Sequence, residues 1–399
     1  MTWEVKKLGD VIIIERGGSP RPIKKYLTTS SDGINWIKIS DATVSDKYIY
    51  KTQQKITQEG LAKTRLVKEG DFILSNSMSF GRPYIMKTTG AIHDGWLVLK
   101  QKDEKLFETE FLYYLLSSPY VFQQFNYLAS GSTVRNLNIA LVSSVKVPVP
   151  PLPIQKKIVK VLDSAFEKIA KAKENSETNL KNAKEVFESY LQKVFENKGD
   201  DWEENILENI TNVEYGFTGK AKKEGEYRYV RITDMDKDGL LILNNKLYLK
   251  KSKEADKFII KNHDLLMART GATFAKVLFF EEFEKSVFAS YLIRINFNIN
   301  MNNKLYWYFS KSKFYWNQAN KLASGSAQPH FNGSAVKKVK FSYPKSLSEQ
   351  KAIVSKLDNL SKQTKQLESI YSQKLSSLKE LKQSILQKAF KGELTEVKA

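Results

Sequence analysis

The stretch PLPIQKKIVKVLDSAFEKIAKAKENSETNLKNAKEVFESYLQKVF, residues 151–195, decides the fold because the chain carries it twice. The second copy is LSEQKAIVSKLDNLSKQTKQLESIYSQKLSSLKELKQSILQKAF, residues 347–390. Past the first turn neither contains Gly or Pro, so both predict long helices, over about Leu152 to Phe195 and Leu347 to Phe390. Apolar or small residues fall at Ile158, Leu162, Ala165, Ile169, Ala172, Ser176, Leu180, Ala183, Phe187, Tyr190 and Val194 in the first. In the second they fall at Ile353, Leu357, Leu360, Thr364, Leu367, Tyr371, Leu375, Leu378, Ile385 and Ala389. The steps alternate between four and three, the seam of a coiled coil. Both copies take two consecutive steps of four at the same place, across Ser176→Leu180 and Tyr371→Leu375. A helix of this length cannot leave such a stripe in water, and the economical partner for each copy is the other.

The repeat extends beyond the helices. WEVKKL (3–8) returns as WEENIL (202–207), and WIKISD (36–41) as YVRITD (229–234). GDFILSN (70–76) returns as HDLLMAR (263–269), LASGS (128–132) as LASGS (322–326), and SYLQKVF (189–195) as SILQKAF (384–390). One unit of about 195 residues is therefore duplicated. Each comprises a globular part, a Pro-bearing hinge (148–153 and 343–348) and a long helix. The expected boundaries are 1–151, a first globular domain; 152–198, the central helix; 199–346, a second globular domain; and 347–399, the C-terminal helix. Short β runs such as Trp36–Ile39, Asp71–Leu74 and Trp96–Leu99 alternate with helical runs such as Glu108–Ser117 and Lys313–Leu322, an α+β pattern.

Composition narrows the function. Lys and Arg number 64 against 44 Asp and Glu, a formal charge of +20, which suits a polyanionic partner. The 19 Tyr, 22 Phe and 6 Trp argue for packed domains rather than a disordered basic tail. With no cysteine, disulfides and thiolate metal sites are excluded, and His93, His263 and His330 are isolated in sequence. No segment approaches the ~18 apolar residues of a membrane span, and the expected location is the cytoplasm. Phosphate-binding glycine loops, dinucleotide fingerprints, nucleophile elbows and methyltransferase motifs are absent from the sequence.

What remains is a set of polar, basic loops at matched places. In the first half these supply Ser19, Arg21, Lys24 and Lys25; Ser75, Asn76, Ser77 and Arg82; and Ser132 and Arg135. In the second half they supply Lys220, Lys222 and Lys223; Arg269 and Thr270; and Ser326, Gln328 and His330. Ser, Thr and Lys bind phosphate oxygens, while Arg reaches guanine and Asn or Gln reaches adenine in bidentate fashion. The frame is shared and the loop contents differ, with Asn76 standing where Arg269 stands. Two readers of one design would recognise two unlike sequences.

On these residues the chain resembles the specificity subunit of type I restriction–modification systems over almost its whole length. PLPIQKKIV (151–159) and LSEQKAIV (347–354), the ending SILQKAFKGEL (384–394) and the twice-occurring LASGS are similar to the family's. The first helix departs from the Gly-Glu-Leu ending, having Glu196, Asn197, Lys198 and Gly199 there. The resemblance implies two pseudo-symmetric α/β target recognition domains joined by two long antiparallel coiled-coil helices. It implies that each domain reads one half of a bipartite, asymmetric site on double-stranded DNA. The helices would set the spacer and dock two modification (methyltransferase) subunits, with restriction (translocase and nuclease) subunits joining the complex. The chain itself would be non-catalytic and hold no cofactor, S-adenosylmethionine, ATP and Mg belonging to the partner subunits. The expected helix seam and partner surface is Ile158, Leu162, Ala165, Ile169, Leu180 and Phe187 with Ile353, Leu357, Leu360, Leu367, Leu375 and Leu378. Two other readings remain open: a specificity subunit serving only a methyltransferase or another defence complex, and a coiled-coil scaffold or RNA-binding protein.

Overall fold

A buried glutamine at the start of each long helix ties that helix to its globular part. Gln155 is fully buried; its Oε1 accepts from the Glu108 N–H at 2.8 Å, and its Nε2 donates to the carbonyls of Leu106 (2.9 Å) and Pro150 (2.8 Å). Gln350 is equally buried, accepts from the Asn302 N–H at 2.8 Å and donates to the Pro344 carbonyl at 2.9 Å. The amide satisfies backbone groups that the chain leaves unpaired where a strand turns into a helix, which explains why Gln recurs there.

The computed structural model describes all residues except 1–2, 46, 77–79, 130–135, 283, 326–328 and 395–399. The chain divides into two compact units, residues 1–176 with 373–399, and residues 177–372. The two helices span Leu152–Glu196 and Leu347–Phe390, and each contributes one half to each unit.

In the first unit, Ile12–Arg16, Trp96–Gln101, Phe72–Ser75, Pro83–Met86 and Tyr48–Ile49 form one five-stranded sheet in that order. A second runs Leu27–Thr28, Gln54–Ile56, Ile34–Ile37, Gly90–Ile92, Arg65–Val67. In the second unit the sheets are Thr211–Tyr215, Leu292–Phe297, Leu265–Ala268, Val277–Phe279 and Tyr248–Leu249, Tyr227–Val230, Ser286–Phe288. In both units an antiparallel ribbon joins the beginning of the globular part to its end, Glu4–Lys7 with Lys146–Val149 and Trp202–Ile206 with Lys340–Pro344. That ribbon delivers the chain to the helix.

Duplication reaches single hydrogen bonds. Gln124 exchanges two bonds with the backbone of Lys146 (2.9 Å each), and Gln318 does the same with Lys340 (2.8 and 3.0 Å). Tyr114 donates to Asp163 at 2.5 Å, and Tyr308 to Asp358 at 2.5 Å, linking a short helix of each domain to a long helix. Ser118 and Ser312 cap the helices Pro119–Leu128 and Lys313–Leu322.

Within the first unit Ile158 and Leu162 share a core with Leu386, Ala389 and Phe390; Phe111 meets Phe390 edge-on at 5.4 Å. Within the second, Leu191 and Phe195 share a core with Val354 and Leu357. The beginning of one helix thus packs beside the end of the other in each unit, which makes the pair antiparallel. Of the expected seam, Ile158, Leu162 and Leu357 are buried, and Ala165, Ile169, Leu180, Phe187, Ile353, Leu360, Leu375 and Leu378 are half-buried. Leu367 is 41% exposed. Between Leu162 and Leu191, and between Leu357 and Leu386, the buried residues are small or hydroxyl-bearing. Ser176, Ala183 and Thr364 are buried, and the hydroxyls bond back to the carbonyls of Ala172 (2.7 Å) and Leu360 (2.9 Å).

Candidate nucleic-acid interface

In the second unit the strand Leu265–Ala268 delivers Arg269 to the surface, where the chain turns through Gly271–Thr273. The Arg269 guanidinium lies over the rings of Tyr215 at 5.4 Å and Tyr291 at 5.9 Å. Tyr215 ends the neighbouring strand Thr211–Tyr215, and its hydroxyl accepts the Gly333 N–H at 2.9 Å, which fixes the ring. A side chain at 333 would crowd that hydroxyl, its Cβ falling 3.1 Å away, so Gly suits the site. Both rings are largely exposed, Tyr215 at 44% and Tyr291 at 56%. His330, which is exposed, bridges Thr270 and Ser324 through the backbone, so Arg269, Thr270 and His330 come together. Thr270 itself is buried, so its contribution is to the backbone frame and not an exposed hydroxyl.

Lys220, Lys222 and Lys223 are exposed on the segment leading to the smaller sheet, with Lys222 exchanging backbone bonds with Tyr248 at 2.8 and 2.9 Å. They follow Tyr215 in the chain but belong to a different sheet edge from Arg269.

The first unit gathers its loop residues around Asp94. Ser19 donates to its carboxylate at 2.7 Å, Arg21 approaches it at 3.6 Å, and Arg16 Nε donates to its carbonyl at 3.1 Å. The Ser19 bond holds the Asp94 carboxyl below its ordinary range, helped by His93 and Arg21 and opposed by partial burial. Asn76 is almost fully buried, and its Nδ2 donates to the Asp94 carbonyl at 2.8 Å. Ser75 is buried as well; its hydroxyl accepts the Arg82 N–H at 3.0 Å and closes the hairpin. The structure therefore places Ser75 and Asn76 as supports of the loop rather than as its exposed surface. Arg82 is half-buried over the Tyr84 ring at 5.3 Å. Lys24 and Lys25 are exposed on a short 3-10 turn, Ile23–Lys25. Ser77, Ser132, Arg135, Ser326 and Gln328 lie outside the described residues.

Sequence reasoning missed Tyr215, Tyr291 and Asp94. Exposed tyrosines beside an arginine are a signal only once strand register is known. Among the described residues no cluster of three or more His, Asp or Glu could hold a metal ion, and no helix is long and apolar enough to cross a membrane.

The sequence matches the family model for the type I restriction modification DNA specificity domain twice, over residues 1–181 and 199–377. The chain belongs to that family. The two matches coincide with the two copies of the repeat, so each copy is one specificity domain. The specificity chain is 24% identical over 317 residues to the type I restriction enzyme StySPI specificity subunit of Salmonella potsdam, covering 74% of this chain and 67% of that one. Its fold matches a chain from a solved structure on complex assembly and conformational transition of the type I R-M system, with a TM-score of 0.79 at 19% identity over 98% of both chains. The HsdS subunit of Thermoanaerobacter tengcongensis has the same fold, with a TM-score of 0.65 at 19% identity over 98% of this chain and 97% of that one.

Proposed function

We propose that the specificity chain reads a bipartite, asymmetric site on double-stranded DNA, one half-site per recognition unit, for a type I restriction–modification complex. The observation that carries this reading is the pairing of a duplicated frame with unlike loop surfaces. Arg269 between two tyrosines occupies the position that a buried Asn76 occupies in the other unit. One frame with two different surfaces suits two different short words of sequence.

The long helices serve as the spacer and as the docking site for two modification subunits. A helix of 45 residues is a rod of roughly 65 Å, ample to separate half-sites about one DNA turn apart. Val161, Val186, Leu367, Ile370 and Leu381 leave apolar surface on the helices, which a partner helix would cover. The specificity chain does no chemistry; S-adenosylmethionine, with adenine as the methylated base, and ATP with Mg would be handled by the modification and restriction subunits. The excess of Lys and Arg supplies affinity that falls with salt.

The test is selection of bound DNA from a random pool by the assembled complex. The expected product is two unlike words separated by a gap of fixed length and free sequence. One continuous word, or no enrichment, would contradict the reading.

A further inference from the structure

We propose that Arg269, clasped between Tyr215 and Tyr291, reads a guanine in the half-site of the second recognition unit, and that the first unit has no counterpart to it. This deepens the functional reading above and rests on it.

Four arginines lie in the second unit, and three are tied to carboxylates. Arg228 pairs with Glu282 at 3.5 Å, Arg231 with Asp234 at 3.0 Å, and Arg294 with Glu214 at 3.1 Å and Asp264 at 3.2 Å. Among the described residues Arg269 has no carboxylate partner, and its guanidinium contacts are the rings of Tyr215 and Tyr291. Ring contacts hold the plane of a guanidinium while leaving its N–H edge unbonded. A planar donor fork that is already oriented loses little freedom on binding, and its match on DNA is the O6/N7 edge of guanine in the major groove. A phosphate contact would not need such orientation, since a flexible lysine supplies it equally well.

Backbone bonds establish the comparison with the first unit. Arg269 donates its N–H to the Tyr291 carbonyl at 3.0 Å and its carbonyl accepts from Phe331 at 2.8 Å; Asn76 does the same with Gly95 at 3.0 Å and Leu137 at 2.8 Å. Gly216 bonds to Leu292 at 3.2 Å as Gly17 bonds to Trp96 at 3.0 Å, so Arg16 stands where Tyr215 stands. In place of Tyr215, Arg269 and Tyr291 the first unit therefore has Arg16, Asn76 and Gly95. Asn76 is turned inward onto Asp94, and Gly95 offers no ring. Among the described residues, the clasp stands at this point of the second unit and not of the first.

The experiment uses the assembled complex with its selected site. Each guanine of both words is replaced in turn by 7-deazaguanine, which lacks N7, and binding is measured for the wild-type chain and for Arg269→Ala. The expected result is a loss of roughly ten- to hundredfold at one guanine of one word for the wild type. Arg269→Ala should show no further loss there and accept all four bases at that position, with the other word unchanged. Tyr291→Ala should lower discrimination at the same position. An even loss of affinity over all sequences with Arg269→Ala, or unaltered selectivity, would overturn the guanine assignment while leaving the two-word reading intact. A 7-deazaguanine scan of the wild type with no sensitive position would overturn it without recourse to any variant. Absence of a two-word site would remove the functional reading and this inference with it.

Discussion

Asn76 and Arg269 occupy the same point of a duplicated frame, each joined through its N–H and carbonyl to equivalent neighbours, yet one side chain is buried and the other lies half-buried over two exposed tyrosines. Their substitutions should therefore differ in kind. Asn76→Ala removes one of the two bonds to the Asp94 carbonyl, which keeps its bond from Arg16, and empties a buried amide site, a loss of about 1–3 kcal/mol in stability. Arg269→Ala should change stability by less than about 0.5 kcal/mol. Urea titration of the two variants checks the contrast; equal losses would mean that Arg269 is part of the frame.

The buried glutamines give the second prediction. Gln155→Leu leaves the Glu108 N–H and the Leu106 and Pro150 carbonyls without their partner, and Gln350→Leu does the same to Asn302 and Pro344. Each should cost about 2–4 kcal/mol, the upper range for buried groups left unpaired. Thermal melts should show a larger fall for Gln155→Leu, which strands three groups against two.

A third prediction separates the helix core from the helix surface. Leu162→Asp and Leu357→Asp place a charge at fully buried positions and should cost more than about 4 kcal/mol, enough to lose helicity by circular dichroism. Leu367→Asp, at a position 41% exposed, should leave the chain folded. On the proposed docking role, Leu367→Asp together with Ile370→Asp should weaken co-purification of the modification subunit. Retention of that subunit at wild-type levels would place the docking surface elsewhere.

Lys311 supplies a pH dependence. Burial, reinforced by Lys365 and Lys304 and opposed by Asp238 and Asp236, pushes its ammonium down to about 7, and its Nζ sits 3.2 Å from the centre of the Trp307 ring. Its unfolded value is near the ordinary 10.5. Between pH 7 and 10.5 the unfolded chain holds a proton that the folded chain has released, so this group adds stability as pH rises through that window. The contribution falls as pH drops through that window and is gone below about 7, where both states hold the proton. Lys311→Met should stabilise the chain at pH 7 and flatten the rise between pH 7 and 9.5, read as the difference from wild type in urea titrations. A difference that does not vary with pH would contradict the burial of this charge.

The long helices were legible because their evidence is local and summed over many residues. The second ends at Phe390 as read, and the first at Glu196, one residue beyond the reading. Lys146–Val149 and Lys313–Leu322 were also recovered at their observed bounds, since Pro or Ser punctuates them. The exposure of Leu367 was not legible, because a heptad seam marks a helix face and not how deeply each position on it is covered. The loops were legible in position but not in role. Whether Asn76 faces inward depends on Asp94, 18 residues away, and the clasp around Arg269 joins two further strand ends. Such contacts follow from strand register, which short strands with sparse apolar runs do not encode locally.

The most direct test of the two-reader account is a genome-wide map of methylated adenines in cells with and without this chain, the proposed methyltransferase partner being present in both. The account predicts loss of one bipartite motif, two unlike short words around a constant gap, when the chain is absent. An unchanged map, or loss of a single continuous motif, would contradict it.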